Sequence, residues 1–189
     1  QQPMSTDHLK EKVAQRAIQE INSGMIVGLG TGSTASWAIR LLGQRLRQGE
    51  LTDILGIPTS EATARLAQAE GIPLTTLTDY PDIDITLDGA DEVDPHLNLI
   101  KGLGGALLRE KIVATFSRRF IIMSEASKRV DRLGTRAPVP VEVIPMAEWP
   151  ITLYLQNLGA TVAKRFQADQ ETPFITDEGN WILDCYFAN

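Results

Sequence analysis

Residues 25–34 read Met-Ile-Val-Gly-Leu-Gly-Thr-Gly-Ser-Thr, and this stretch decides the fold class. Its first three residues are apolar and predict a short buried strand, Met25–Val27. A glycine-rich loop, Gly28–Thr34, follows, and the chain after it predicts a helix from Ala35 to about Gln48. The order of strand, glycine loop and helix is typical of proteins built on a parallel sheet.

The glycine loop indicates an anion site. Several glycines at a strand-to-helix junction leave backbone amides able to point at an anion, and phosphate is the expected ligand. The dinucleotide fingerprint needs glycine or alanine at its sixth position, where this chain has Ser33, and no ribose-binding acid follows the next predicted strand, at Pro58–Ser60. The Walker pattern fails too, because no lysine followed by serine or threonine closes the loop. On the glycines alone, a tight turn without a ligand stays open.

The same alternation of strands and helices continues on both sides of the loop. Further helices are predicted at 7–22, 61–70 and 106–115, and further strands at 53–57, 84–87 and 120–123. This pattern predicts a doubly wound, mostly parallel, Rossmann-like sheet in a domain spanning residues 5–130. Strands at 141–144, 161–166 and 181–187, with a helix at 147–158, predict a smaller α+β domain over residues 131–189.

Composition narrows the class of partner. The formal net charge is −6, which argues against nucleic acid but not against a small anion held by local amides and lysines. No apolar run approaches the roughly 20 residues that span a bilayer, and residues 1–10 lack a signal peptide, so we expect a cytoplasmic protein without a membrane partner. Cys185 is the only cysteine, which excludes an internal disulfide and agrees with a reducing compartment.

Four acidic residues crowd together at the end of the predicted strand 84–87. They are Asp88, Asp91, Glu92 and Asp94. Their spacing fails the EF-hand pattern, whereas a magnesium site and a solvated turn both stay open. A catalytic interpretation gains weight because Lys101 and a second glycine loop, Gly102–Gly105, follow at once. These groups could hold carboxylates ionised or stabilise a developing oxyanion.

Glu110 is a candidate catalytic residue because of its position in a predicted helix. Taken alone it would be a surface glutamate between two basic residues. A helix that starts at Ala106 places it about one turn from the second glycine loop, within reach of a bound sugar. His8 and His96 each stand outside any cluster with ligand spacing, so a zinc or copper site is not expected.

Five segments occur in one order along the chain. They are Gly28–Thr34, Asp88–Glu92, Lys101–Ala106 with Arg109–Lys111, Ser127–Lys128 and Pro140–Pro145. Together they resemble ribose-5-phosphate isomerase of the A type, and the likeness runs from about Leu9 to Phe187. It implies a doubly wound sheet with a small α+β lid domain in a homo-oligomer. It also implies that ribose 5-phosphate and ribulose 5-phosphate interconvert through an enediolate, without a metal or cofactor.

The resemblance also implies a role for each candidate residue. Glu110 falls on the general base that moves a proton between C2 and C1. Asp88 and Asp91 fall on an acidic pair that assists ring opening and binds hydroxyls, and Lys101 would stabilise the enediolate oxygen together with loop amides. The positions that would bind substrate are Thr31, Gly32, Ser33, Thr34, Gly89, Ala90, Gly102, Leu103, Gly104 and Lys128, with Lys10 a weaker phosphate candidate.

The chain departs from the family pattern at two places. Leu103 interrupts what is often an unbroken glycine run, and the chain stops at Asn189 where family members usually continue, so we expect an incomplete smaller domain. A non-catalytic sugar-phosphate sensor is the alternative function. It gives no reason for Glu110, Asp88 and Lys101 to coincide with catalytic positions.

Overall fold

The computed structural model describes residues 6–188 and contains two compact units. The first unit comprises the described residues up to Ala90 together with Arg109–Ser127, and the second comprises Asp91–Leu108 together with the described residues from Lys128 onward. Ser5 and Asn189, the outer limits of the two predicted domains, lie outside the described residues.

A four-stranded parallel sheet forms the centre of the first unit, with the strand order β2-β1-β3-β6. Its strands are β1 (Ile26–Leu29), β2 (Leu55–Pro58), β3 (Ile83–Gly89) and β6 (Ser117–Met123). Its helices are α1 (Thr6–Ile18), α2 (Ser33–Arg47), α3 (Glu61–Ala69) and α4 (Leu107–Thr115). The predicted parallel α/β sheet is therefore confirmed.

Helices cover both faces of this sheet because both faces of its strands are apolar. Val27 and Leu29 of β1 belong to one buried cluster with side chains of α1, α2 and α3. Ile26, on the other face of β1, belongs to a second cluster with Val113 of α4. Full burial on both faces is the usual reason that parallel strands read as continuous apolar runs.

The strand order places a switch point between β1 and β3. From β1 the chain moves to β2 at one edge, and it then crosses back to pair β3 on the other side of β1. In open α/β sheets, ligands bind at the carboxyl ends of the strands beside such a point. The residues at those two ends are Gly30 and Asp88 with Gly89.

The second unit holds a short antiparallel hairpin and a three-stranded antiparallel sheet in the order β7-β9-β8. Its strands are β4 (Glu92–Val93), β5 (Leu99–Ile100), β7 (Val139–Val143), β8 (Ala160–Lys164) and β9 (Trp181–Phe187), and its helix is α5 (Glu148–Asn157). Leu155 of α5 packs in one buried cluster with Val143, Leu183 and Cys185 of the larger sheet.

The structure differs locally from the sequence predictions in several elements. The first helix ends at Ile18 rather than Asn22. The second strand starts at Leu55 rather than Asp53, because Asp53 has a φ of 58°, which no strand accommodates. The β4–β5 hairpin was not predicted. It belongs to the second unit, where the Val130 amide donates to the Val93 carbonyl oxygen at 3.0 Å.

Among residues 6–188, no helix has the length and apolar character that a membrane crossing requires.

Candidate active site

The first glycine loop is held close to the end of β3. The Gly30 amide donates to the Leu87 carbonyl oxygen at 2.9 Å. A Cβ at Gly30 would lie 2.3 Å from Asp88 Oδ1, so only glycine fits here. Gly32 has a φ of 113° and caps α2 without a side-chain hydrogen bond, so the first-turn amides of this long helix are not capped by a side chain.

A cluster of hydroxyls, which we call the hydroxyl cluster (Thr31, Thr59, Ser60 and Thr63), links the loop at Thr31 to the turn after β2 and to the first turn of α3. The Thr31 hydroxyl lies 2.7 Å from that of Thr59, 2.9 Å from that of Ser60 and 3.1 Å from that of Thr63. The Thr63 hydroxyl also donates to the Gly30 carbonyl oxygen at 2.9 Å. Its members from the turn are almost fully buried, and fully bonded polar networks of this kind hold a single conformation.

Asp88 lies at the end of β3 and is 1% exposed. Its Oδ1 accepts hydrogen bonds from the Gly89 amide at 2.7 Å and from the Thr31 amide at 3.3 Å. The structure thus brings Asp88 together with the first glycine loop. Gly89 and Ala90, which follow it, are half-buried.

Glu110 lies in the first turn of α4 and is only 6% exposed. The helix starts at Leu107, one residue later than predicted, and Glu110 keeps its predicted place one turn in. The neighbouring Arg109 donates to Glu61 of α3 at 2.8 Å. Because its side chain is buried, Glu110 is not the surface glutamate that its two basic neighbours suggest.

The crowded acidic residues divide into structural and candidate catalytic groups. Glu92 is 1% exposed and accepts from the amides of Gly134, Arg136 and Ala137 at 2.6, 2.6 and 2.8 Å. Asp94 closes a turn, and the Asn98 side chain, followed by backbone amides, lowers its pKa. Neither carboxylate is arranged as part of a magnesium site, because Glu92 binds backbone amides within residues 134–137 and Asp94 binds backbone amides of its own turn.

Asp91 belongs instead with the second glycine loop. Its Oδ2 accepts from the Leu103 amide at 3.0 Å, and its own amide donates to the Ile100 carbonyl oxygen at 2.8 Å. Gly102 and Gly105 have φ values of 105° and 81°, which only glycine adopts without strain. Of the predicted loop residues, Lys101 is half-buried, Gly102 is buried, and Leu103 and Gly104 are exposed.

The remaining predicted phosphate ligands are accessible. Gly32 and Ser33 are exposed, and Thr31, Thr34 and Lys128 are half-buried. Lys128 ends a 3-10 turn, Ala126–Lys128. The first unit therefore holds the first glycine loop, Asp88 and Glu110, whereas Asp91, the second glycine loop and Lys128 belong to the second unit.

The family model described as ribose 5-phosphate isomerase A (phosphoriboisomerase A) matches residues 55–189. The ribose-5-phosphate isomerase A of Roseiflexus castenholzii is 54% identical over 183 residues, which cover 96% of this chain and 78% of that protein. This chain belongs to the ribose 5-phosphate isomerase A family.

Solved structures of the family share its backbone. A D-ribose-5-phosphate isomerase in complex with phospho-erythronic acid superposes with a TM-score of 0.95 at 43% identity, covering 98% of this chain and 81% of that one. The ribose 5-phosphate isomerase A of Methanocaldococcus jannaschii gives a TM-score of 0.93 at 46% identity, with coverage of 97% and 81%. The likeness found from five sequence segments is thus confirmed along nearly the whole chain.

Several residues near the candidate site were not singled out from the sequence. Thr59 and Ser60 were predicted only as part of a turn without a ribose-binding acid, and Thr63 only as part of the helix 61–70. Their run of hydroxyls directly after a strand, at the sheet edge where ligands bind, is the signal that could have identified them. Arg165 and Asp184 contact each other across the second unit's sheet, and no local pattern in the sequence marks that pair.

Proposed function

We propose that this chain interconverts ribose 5-phosphate and ribulose 5-phosphate, with Glu110 as the general base. The observation that carries the proposal is the burial of Glu110, at 6% exposure, in the helix turn that follows the second glycine loop. Membership of the ribose 5-phosphate isomerase A family supports the choice of substrate. General-base catalysis of this kind contributes roughly 10²–10⁴-fold in rate.

The proposed reaction starts from the open-chain aldose. Glu110 removes the proton from C2, the electron pair forms a C1–C2 double bond, and the negative charge develops on the oxygen of C1. The C1 oxygen then gains a proton while the hydroxyl on C2 loses one. Glu110 returns its proton to C1, which leaves a ketone at C2. Atoms and charges balance, and the reaction needs no oxidant or cofactor.

Asp88 and Asp91 take the proposed roles of assisting ring opening and binding sugar hydroxyls. The hydrogen bonds of Asp88 to the Thr31 and Gly89 amides, and of Asp91 to the Leu103 amide, support these roles because they fix each carboxylate in one orientation. Lys101, with the backbone of Gly102 and Gly104, takes the role of stabilising the enediolate oxygen. The Leu103 amide contributes to this site indirectly, because it donates a hydrogen bond that holds the Asp91 carboxylate in place.

The phosphate group is proposed to bind at the first glycine loop. Backbone amides at the start of a helix attract anions, and Gly32, Ser33 and Thr34 occupy the start of α2. The Thr31 hydroxyl and Lys128, with Gly89 and Ala90, complete the proposed binding set. Phospho-erythronic acid, held by the related isomerase, supports this substrate class, because it joins a phosphate to a hydroxylated chain that ends in a carboxylate.

A coupled assay for ribulose 5-phosphate formation tests the proposal. The purified chain should convert ribose 5-phosphate, and it should do so equally in excess EDTA because no step uses a metal. Binding of ribose 5-phosphate without turnover would favour the sensor alternative. Activity that is lost in EDTA and restored by Mg²⁺ would contradict the metal-free route.

We also propose that the chain forms a homo-oligomer in the cytoplasm. The family resemblance supports self-association, and the lone cysteine agrees with a reducing compartment. Light scattering should give a mass of at least twice the 20.7 kDa of one chain. A mass of one chain at micromolar concentration would contradict the oligomer.

A further inference from the structure

Arg165 and Asp184 form an ion pair inside the second unit. Arg165 directly follows β8, and Asp184 lies in the neighbouring strand β9. The Arg165 Nε donates to Asp184 Oδ2 at 2.8 Å, and its Nη2 donates to Oδ1. The two side chains are 12% and 14% exposed. A two-point pair in this environment holds the guanidinium in one plane.

The remaining guanidinium nitrogen of Arg165 binds the second glycine loop. Its Nη1 donates to the Gly102 carbonyl oxygen at 3.0 Å and to the Leu103 carbonyl oxygen at 3.1 Å. Phe174 closes the same loop from another side, because a Cβ at Gly105 would lie 2.3 Å from its ring. Arg165 thus reaches a loop 62 residues away in sequence.

One peptide group connects Arg165 to Asp91. The Gly102 carbonyl and the Leu103 amide belong to the same peptide group, and that amide donates to Asp91 Oδ2 at 3.0 Å. The Leu103 carbonyl and the Gly104 amide share the next peptide group. A cation at a carbonyl oxygen polarises the peptide and makes its N–H a stronger donor. The guanidinium therefore acts on the amide that orients Asp91 and on the amide of Gly104.

We propose that Arg165 and Asp184 are positioning residues for the isomerase reaction. They fix the Gly102–Leu103 peptide, and through it the Asp91 carboxylate and the Gly104 amide, in the arrangement that the reaction needs. This inference rests on the proposed roles of Asp91 and of the loop amides. Neither member of the pair is assigned a contact with substrate.

Arg165→Met combined with Asp184→Asn is the main test, because removing both charges avoids leaving a buried carboxylate alone. We expect kcat to fall by about 10²-fold, the effect of misplacing a catalytic group by roughly 1 Å. KM for ribose 5-phosphate should rise as well, because Asp91 is also proposed to bind sugar hydroxyls. Lys164→Gln is the matched control, because Lys164 pairs with Glu148 at 3.4 Å and covers the Trp181 ring without contacting the loop.

Hydrogen exchange at the Leu103 amide gives a second readout that does not depend on activity. In the double variant this amide should exchange faster, whereas Lys164→Gln should leave its rate unchanged. A folded double variant with wild-type kcat and wild-type exchange at Leu103 would overturn the inference while leaving the isomerase intact. If the wild-type chain had no isomerase activity, the proposed function would be refuted. The pair could then have no role in catalysis, even if the double variant exchanged faster at the Leu103 amide.

Discussion

Gly30→Ala tests how tightly β1 and Asp88 meet at the candidate site. A Cβ at residue 30 would lie 2.3 Å from Asp88 Oδ1 and 2.6 Å from the Leu87 carbonyl oxygen, whereas ordinary contact begins at 3.4 Å. The Leu87 carbonyl belongs to the backbone of an inner strand and has little freedom to yield. The loop at residue 30 must therefore shift away from Leu87, and the separation between residue 30 and the Asp88 carboxylate must grow by about 1 Å, the difference between 2.3 and 3.4 Å.

That displacement sets the expected magnitude. Overpacking costs about 1–3 kcal/mol, and a cost near 2 kcal/mol lowers Tm by roughly 4–8 °C in a chain of this length. A catalytic group misplaced by about 1 Å loses on the order of 10²-fold in rate. We expect kcat for Gly30→Ala to fall by about that factor, measured with the coupled assay well below Tm.

Gly56→Ala is the control because it adds the same methyl group in the same sheet. Its Cβ would lie 2.7 Å from the Leu29 Cδ1 atom and 3.3 Å from side chains of Ile72 and Leu74. Those contacts are the ends of flexible side chains, so Gly56→Ala should lose some stability and keep wild-type kcat. A folded Gly30→Ala variant with wild-type kcat would refute the account of this junction.

Two further predictions concern the hydroxyl cluster and the lone cysteine. Thr63→Val should raise KM for ribose 5-phosphate and cost about 1–3 kcal/mol of stability. The control Thr86→Val removes an equally buried hydroxyl bonded to Ser117 and should cost stability alone. A rise in KM for both variants, or for neither, would contradict the role of the hydroxyl cluster. Cys185 is 1% exposed, and burial followed by the charge of Asp184 raises the pKa of its thiol. Iodoacetamide should therefore modify the native chain far more slowly than the urea-unfolded chain at pH 8, and equal rates would contradict this burial.

The parallel sheet could be predicted from sequence because each element carries a local signal. Met25–Thr34 combines an apolar strand with a glycine loop, and the order of strand and helix then restricts the topology to a few arrangements. The place of Glu110, one turn into α4, followed from counting residues along a helix. Its burial did not follow, because a glutamate between two basic residues looks like a surface residue until its tertiary neighbours are known.

The parts that were missed depend on contacts distant in sequence. The four acidic residues looked like one group, yet Glu92 and Asp94 accept hydrogen bonds from backbone amides outside the glycine loops, whereas Asp88 and Asp91 accept them from amides of the glycine loops. Which carboxylate bonds a distant amide, such as Glu92 with Ala137, is decided by tertiary structure alone. The clamp of Arg165 on the second glycine loop was invisible for the same reason.

Turnover by Glu110→Gln shows whether the Glu110 carboxylate moves the proton. This variant keeps the shape of the side chain and loses the base. Its kcat should fall by about 10²–10⁴-fold with ribose 5-phosphate binding retained, whereas Glu61→Gln, the same change at the exposed partner of Arg109, should keep wild-type kcat. A Glu110→Gln variant that isomerises ribose 5-phosphate within tenfold of the wild-type rate would contradict the claim.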